Sequence, residues 1–294
     1  MHLHPWSLPV AEGFTLRGWH SEPSGKPLLH FLHGNGFCSR TYEPLLRRLS
    51  DDFDLWLGDF QGHGESDHGG TFVGWNRSAE LAVQCFESGR GAFGEVPRLA
   101  LGHSFGGVLT GLILAERPDL FQRAVLLDPV LFSPRMLMAM RFAALFGQYG
   151  RHQMARRAAA RRNHWPDRPA VRANFEGRGI FKGWCEEALD AHIEHALRPA
   201  ADGGVELKCR PSREAEVFSS SPQRLWPTLR QVRTPTRVIH GRDSYAFIAP
   251  SVARWCAASP SLSEQTVDGG HCFMQEHPEH TAVLVRGFLL EQSF

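Results

Sequence analysis

Between residues 28 and 130, short apolar runs alternate with longer segments whose apolar positions recur every three or four residues. PLLHFLHG, FDLWLGDF, RLALGHS and RAVLLDPV cluster their apolar side chains as strands buried on both faces do. TYEPLLRRLS, GWNRSAELAVQCFESGR and GGVLTGLILAERPDLF lie between them with helical spacing, and Pro118 stops the third. This alternation predicts an α/β fold, a mostly parallel sheet flanked by helices on both faces. The opening segment, through LRGWHSEP, is expected to form an antiparallel pair of edge strands.

Beyond Phe132 the pattern changes. Residues 133–225 show no β-branched strand-like run and hold helical stretches such as MLMAMRFAALFGQYGRHQMARRAAARR and WCEEALDAHIEHALRP. Alternation resumes with TPTRVIHG, SVARWCAASP, SLSEQTVDGG and HTAVLVRGFLLEQ. The expected organisation is therefore a core domain made of residues 1–132 and 226–294, interrupted by a mostly helical insertion, residues 133–225. Within the insertion Arg151, Arg156, Arg157, Arg161 and Arg162 cluster near Met136, Met138, Met140 and Met154. One reading is a solvated helix face with methionines filling an irregular core. Another is a basic, Met-rich cap over an apolar acyl pocket, meeting an anionic ligand or a membrane surface. Trp165, Phe181 and Trp184 are candidates either for packing or for lining that pocket.

Composition narrows the function classes. The chain has 294 residues with a formal net charge of +1, so no overall field draws it to nucleic acid. Its six cysteines (Cys38, Cys85, Cys185, Cys209, Cys256 and Cys272) show no C-x-x-C spacing, against a disulfide framework or a structural zinc site. The 16 histidines show no metal-ligand spacing, and His2 and His4 read as surface residues. No metal or organic cofactor is expected. MHLHPWSLPV lacks the build of a secretory signal, and no apolar run is long enough to span a membrane, so a cytoplasmic location is expected.

The chemistry-bearing positions fall at the ends of the expected strands. Gly102-His103-Ser104-Phe105-Gly106 fits G-x-S-x-G and sits between strand RLAL and a helix, where a sharp turn lifts a serine hydroxyl out of the sheet. Gly102 and Gly106 suit it because side chains there would strike the neighbouring strand and helix. Ser104 is the candidate nucleophile. The backbone N–H of Phe105 and that of Asn35, in His33-Gly34-Asn35-Gly36, are candidate oxyanion donors, and the Asn35 amide could add another. His271, in Asp268-Gly269-Gly270-His271, follows the last expected strand at the same sheet edge and is the candidate base. A carboxylate must orient its imidazole. Asp128, after RAVLL, and Asp243, after RVIHG, both occupy strand ends and both could equally be turn or cap residues.

LHGNGF, DFQGHGESD, GHSFGG, LLDPV, VIHGRD and GGH together resemble the α/β-hydrolase superfamily, in its order and spacing, over residues 10–132 and 225–294. The resemblance implies Ser104 as nucleophile and His271 as general base. The family's usual acid stands three residues past the glycine ending the strand before it. Here that glycine is Gly241 and the third residue on is Ser244. A subset carries the acid in a D-P or E-P dipeptide one strand earlier, which Asp128-Pro129 matches, so the resemblance favours Asp128 over Asp243. A serine at the elbow argues against dehalogenase or epoxide hydrolase chemistry, which relatives run on aspartate. The expected activity is hydrolysis of a carboxylic ester of a small or acyl-chain substrate through an acyl-enzyme. Alternatives are a thioesterase, a C–C bond hydrolase, a perhydrolase, or a ligand receptor that keeps the fold.

Overall fold

The computed structural model describes residues 1–145 and 153–291. Its strands are β1 (His4–Pro9), β2 (Thr15–His20), β3 (Leu28–Leu32), β4 (Asp54–Asp59), β5 (Arg98–His103) and β6 (Arg123–Leu127). Then come β7 (His164–Trp165), β8 (Leu197–Pro199), β9 (Val205–Leu207), β10 (Thr236–Gly241) and β11 (Leu262–Val267). Eight of them form one sheet in the order β1-β2-β4-β3-β5-β6-β10-β11. All pairings from β4 to β11 are parallel; β2 runs antiparallel to β4, and β1 antiparallel to β2. The expected opening hairpin is present, with β1 alone at the edge.

Side chains alternate across the sheet with the period of two that a pleat imposes. Leu29 and Phe31 of β3, Leu99 and Leu101 of β5, and Val125 and Leu127 of β6 share one face, packed against helices Glu43–Leu49 and Pro278–Leu289. Leu28 and Leu32, Ala100, Ala124 and Leu126 face the other way, onto helices Trp75–Gly89, Ser104–Glu116 and Ile248–Ala258. The helix Ser104–Glu116 is buried from Ser104 through Ala115, which explains why its sequence is apolar all round. Each fully buried leucine or phenylalanine contributes about 2 kcal/mol of transfer free energy. Exposed ion pairs such as Arg47–Glu187 and Arg242–Asp268 add at most about 1 kcal/mol each.

Strand order reverses between β3 and β5: from β3 the chain steps outward to β4, then returns to the other side to build β5. Their carboxyl ends diverge there and open a crevice, the usual ligand position in an open parallel sheet.

Residues between β6 and β10 contain helices Pro134–Leu145, Gln153–Ala159, Arg168–Phe175, Glu186–His195 and Pro211–Phe218. They also contain strands, which the sequence pattern did not predict: β7, β9 and β8 form a small antiparallel sheet. Strands of two or three residues are shorter than any window in which periodicity shows. The sequence trace they leave is the turn Asp202-Gly203-Gly204, where Gly203 takes φ 91° and joins β8 to β9.

Among the described residues, five histidines are buried without charge. Burial holds His30 and His192 down to about 3 and His33 down to about 4, and holds His63 and His103 well below the ordinary imidazole range. Below pH 6.5 the unfolded chain takes up protons that these rings refuse while folded, so stability falls as the pH drops towards 4. Each ring contributes a slope of up to about 1.4 kcal/mol per pH unit. The melting temperature should be nearly flat between pH 8 and 7 and fall steeply below about pH 6; equal values at pH 7.5 and 5 would contradict this origin.

Candidate active site

The crevice between β3 and β5 is built by two loops that touch. β5 pairs with β3 so that Gly102 lies beside Leu32, and the chain then turns directly into the helix at Ser104. Ser104 takes φ 54°, a left-handed conformation unfavourable for a residue with a side chain. The turn is tight on both sides. A Cβ on Gly102 would stand 2.5 Å from Thr110 Oγ1 and 2.6 Å from the Gly106 carbonyl oxygen, and one on Gly106 would collide with the carbonyls of Leu32 and His33. Only glycine fits either place. The Gly106 N–H donates to His33 O at 3.1 Å, locking the serine turn to the loop after β3.

Ser104 Oγ lies 2.8 Å from His271 Nε2, and His271 Nδ1 lies 2.6 Å from Asp128 Oδ2. Residues distant in sequence, from the ends of β5, β6 and β11, thus form one continuous chain. Asp128 is fully buried and also takes φ 46°, the second strained turn at this edge. Its Oδ1 accepts the Gly241 N–H at 2.9 Å, and its Oδ2 also accepts the Ser244 hydroxyl. A buried carboxylate needs such donors to stay ionised. Asp243 is exposed, and its backbone N–H donates to Gly269 O at 3.0 Å; its side chain is not part of this chain of contacts. Ser244 therefore stands at the position where the sequence pattern looked for an acid, and its hydroxyl donates to Asp128 at the end of β6.

The Phe105 and Asn35 backbone N–H groups have no acceptor among the described residues, and both residues line the cleft with Ser104 and His271. The side-chain amide of Asn35 behaves differently from expectation. Its Nδ2 donates to the Glu214 carbonyl at 3.1 Å and its Oδ1 is hydrogen-bonded to His63 Nε2 at 3.1 Å, so the amide ties the loop to its surroundings.

Behind the reactive edge lies a polar connection that motif reading passes over. His103 Nε2 contacts the His271 carbonyl oxygen at 3.0 Å, and a carbonyl only accepts, so the proton sits on Nε2. Burial, with the nearby His271, keeps the ring neutral. Nδ1 is then bare and accepts the Tyr42 hydroxyl at 2.6 Å, while the Tyr42 oxygen accepts the Gly34 N–H at 3.1 Å. One directed chain runs from the loop after β3 to the backbone of His271.

The cleft has an empty volume of about 730 Å³, counting the part open to solvent. Phe37, Trp75, Phe132, Val217 and Phe247 supply apolar wall; Arg161, Glu214 and Tyr245 supply polar edges. Met154 and Arg161, from the Arg/Met-rich stretch, reach it. Met136 and Met140 pack on the core, whereas Met138 is exposed, as are Arg156, Arg157 and Arg162. Arg151 lies outside the described residues. Of the three aromatic candidates, Phe181 lines the outer cleft, next to Arg161. Trp165 is fully buried against Phe175, and Trp184 packs on Phe37, Phe181 and His192. Among the described residues no helix is long and apolar enough to cross a membrane.

Comparison with known proteins accords with this fold. Residues 31–282 match the alpha/beta hydrolase family, and the chain belongs to it. It is 27% identical, over 91% of its own length and 90% of the other's, to 2-(acetamidomethylene)succinate hydrolase of Mesorhizobium japonicum. A crystal structure of E-2-(acetamidomethylene)succinate hydrolase superimposes with a TM-score of 0.79 at 25% identity, covering 98% of this chain and 99% of that one. Mouse monoglyceride lipase is 31% identical over a shorter stretch, 43% of each chain.

The buried Tyr42 hydroxyl has two partners that lose their hydrogen bonds if it goes. Tyr42→Phe is expected to lower stability by about 1–3 kcal/mol, the cost of a buried polar group left unpaired. Urea denaturation measures this, and an unchanged midpoint would show that the connection adds nothing.

Proposed function

We propose that this protein is a serine hydrolase that cleaves a carboxylic ester through an acyl-enzyme on Ser104. The observation that carries this reading is the unbroken run of contacts from Ser104 Oγ through His271 to Asp128, beside two backbone N–H groups that have no acceptor among the described residues. Asp128, with its negative charge held by Gly241 and Ser244, keeps the His271 proton on Nδ1 and leaves Nε2 bare towards the serine. Ser104 Oγ attacks the ester carbonyl as His271 Nε2 takes its proton. The negative charge that develops on the carbonyl oxygen is received by the Phe105 and Asn35 amides. Collapse expels the alcohol, which leaves with the proton from His271. Water then attacks the acyl-enzyme, gives its proton to the same nitrogen, and the acid departs as Ser104 recovers its hydrogen.

The strain at Ser104 supports this assignment, since a left-handed serine persists only where the surroundings hold it. In this reading residues 133–225 form a cap that closes the pocket. Relatives named as a monoglyceride lipase and as a hydrolase of an acetamidomethylene succinate support acyl chemistry on this fold. The near full-length match to the second favours one further reading, in which the scissile carbonyl belongs to an amide.

Hydrolysis of p-nitrophenyl esters from acetate upwards tests the proposal. Ser104→Ala and Asp128→Asn should each lower kcat by about 10⁴-fold, whereas Asp243→Asn should stay within about threefold of wild type. Multiple turnovers that survive Ser104→Ala would refute the assignment, and so would a collapse in Asp243→Asn alone. Ser244→Ala removes one donor from a buried carboxylate and should lower kcat/KM by about tenfold.

A further inference from the structure

We infer that the cleft selects substrates carrying a carboxylate at a distance from the scissile bond, and that Arg161 recognises it. This rests on the hydrolase reading above and names its substrate class. The inner chamber holds Ser104, His271 and Asn35; the outer chamber continues from it across a shared wall of Met154, Arg161, Ile180, Glu214, Phe218 and Tyr245. The outer chamber adds Arg157, Arg162 and Arg178, so four guanidinium groups meet a single carboxylate, Glu214, among its described lining residues. The whole chain carries a formal charge of only +1, so this concentration is local.

Arg161 is the member built into the wall. Its Nη1 donates to Glu214 Oε2 at 3.0 Å, and its guanidinium lies over the rings of Phe175 and Phe181 at 5.6 and 5.8 Å. Those contacts hold the plane of the group without using all its donors. Nη2 is buried and has no acceptor among the described residues. A charged donor left so is costly, and the group that satisfies a guanidinium fork best is a planar carboxylate. Arg157 and Arg178 are exposed and have no acidic partner among the described residues. They do not need to touch the ligand; their field raises the local concentration of an anion at the mouth, an effect that salt weakens.

The apolar walls of the inner chamber fix the rest of the substrate. Phe37, Trp75, Phe132, Val217 and Phe247 suit a carbon chain or ring between the scissile carbonyl and the distant charge. The ligand is thus an amphipathic acid, such as the half-ester of a dicarboxylic acid. A neutral acyl chain would fill the same walls and leave the Arg161 Nη2 without an acceptor.

Mono-p-nitrophenyl esters of succinate, glutarate, adipate and suberate, each paired with the neutral ester of equal carbon number, read this preference. In wild type the best half-ester should exceed its neutral match in kcat/KM by about tenfold or more, through KM, and the ratio should fall at high salt. Arg161→Ala should bring the ratio to about one, and Arg161→Lys should restore part of it. Titration of the free diacids into Ser104→Ala by calorimetry reads the same preference without turnover. Saturable binding that is lost when Arg161→Ala is added supports the inference. A neutral preference at every length overturns it, and so does a ratio unchanged in Arg161→Ala or the absence of diacid binding. Ser104→Ala that still turns over the neutral esters would instead remove the hydrolase reading beneath it.

Discussion

The close approach of the turn after β5 to the strand beside it governs the rest of this site. Gly102 and Gly106 have no room for a single carbon, and the Gly106 N–H is bonded to His33 O. The loop that carries Asn35 and the turn that carries Ser104 are therefore one rigid unit, set by backbone contact instead of by adjustable side chains. The strain of Ser104 in a left-handed conformation is sustained by the buried helix behind it, whose apolar faces press into the sheet. Reactive geometry of this kind depends on a stiff support, because a displacement of one ångström is enough to spoil alignment.

Around that unit the histidines divide into two kinds. His33 and His103 are fully buried, neutral and hydrogen-bonded to backbone carbonyls, so they act as fixed struts. His271 lies at the cleft, with one nitrogen on a buried carboxylate and the other on a serine. Residue type alone does not separate them. What separates them is which groups the fold places against each ring nitrogen and whether the ring meets the cleft.

The segment between β6 and β10 contributes through contacts with the same loop. Helix Pro211–Phe218 brings the Glu214 carbonyl to the Asn35 amide and the Glu214 carboxylate to Arg161. Arg213, fully buried, joins that helix to the carbonyls of His68 and Gly70. Polar contacts from the neighbouring residues Arg213 and Glu214 thus tie this helix to Arg161, to the loop that carries Asn35 and to the carbonyls of His68 and Gly70, although these are far apart in sequence.

The sequence by itself determined the alternation of buried strands and helices, the parallel core, and the positions of Ser104, Asn35 and His271 at strand ends. Each of these follows from local rules: apolar periodicity, glycine where no side chain fits, and motifs short enough to be read within one loop. It left Asp128 and Asp243 both open, because both end a strand and a linear pattern does not say which carboxylate turns inward. The tertiary structure buries Asp128 against Gly241, Ser244 and His271 and leaves Asp243 in solvent. It also revealed the short strands β7 to β9, too brief to show periodicity, and the Tyr42–His103 connection, whose members lie 61 residues apart. It turned the Asn35 amide into a tether and brought one arginine of a basic run, Arg161, into the inner chamber beside Ser104, while Arg156, Arg157 and Arg162 stayed exposed. These are outcomes of which side chains meet in three dimensions, and meeting is a property of packing that no single stretch of chain contains.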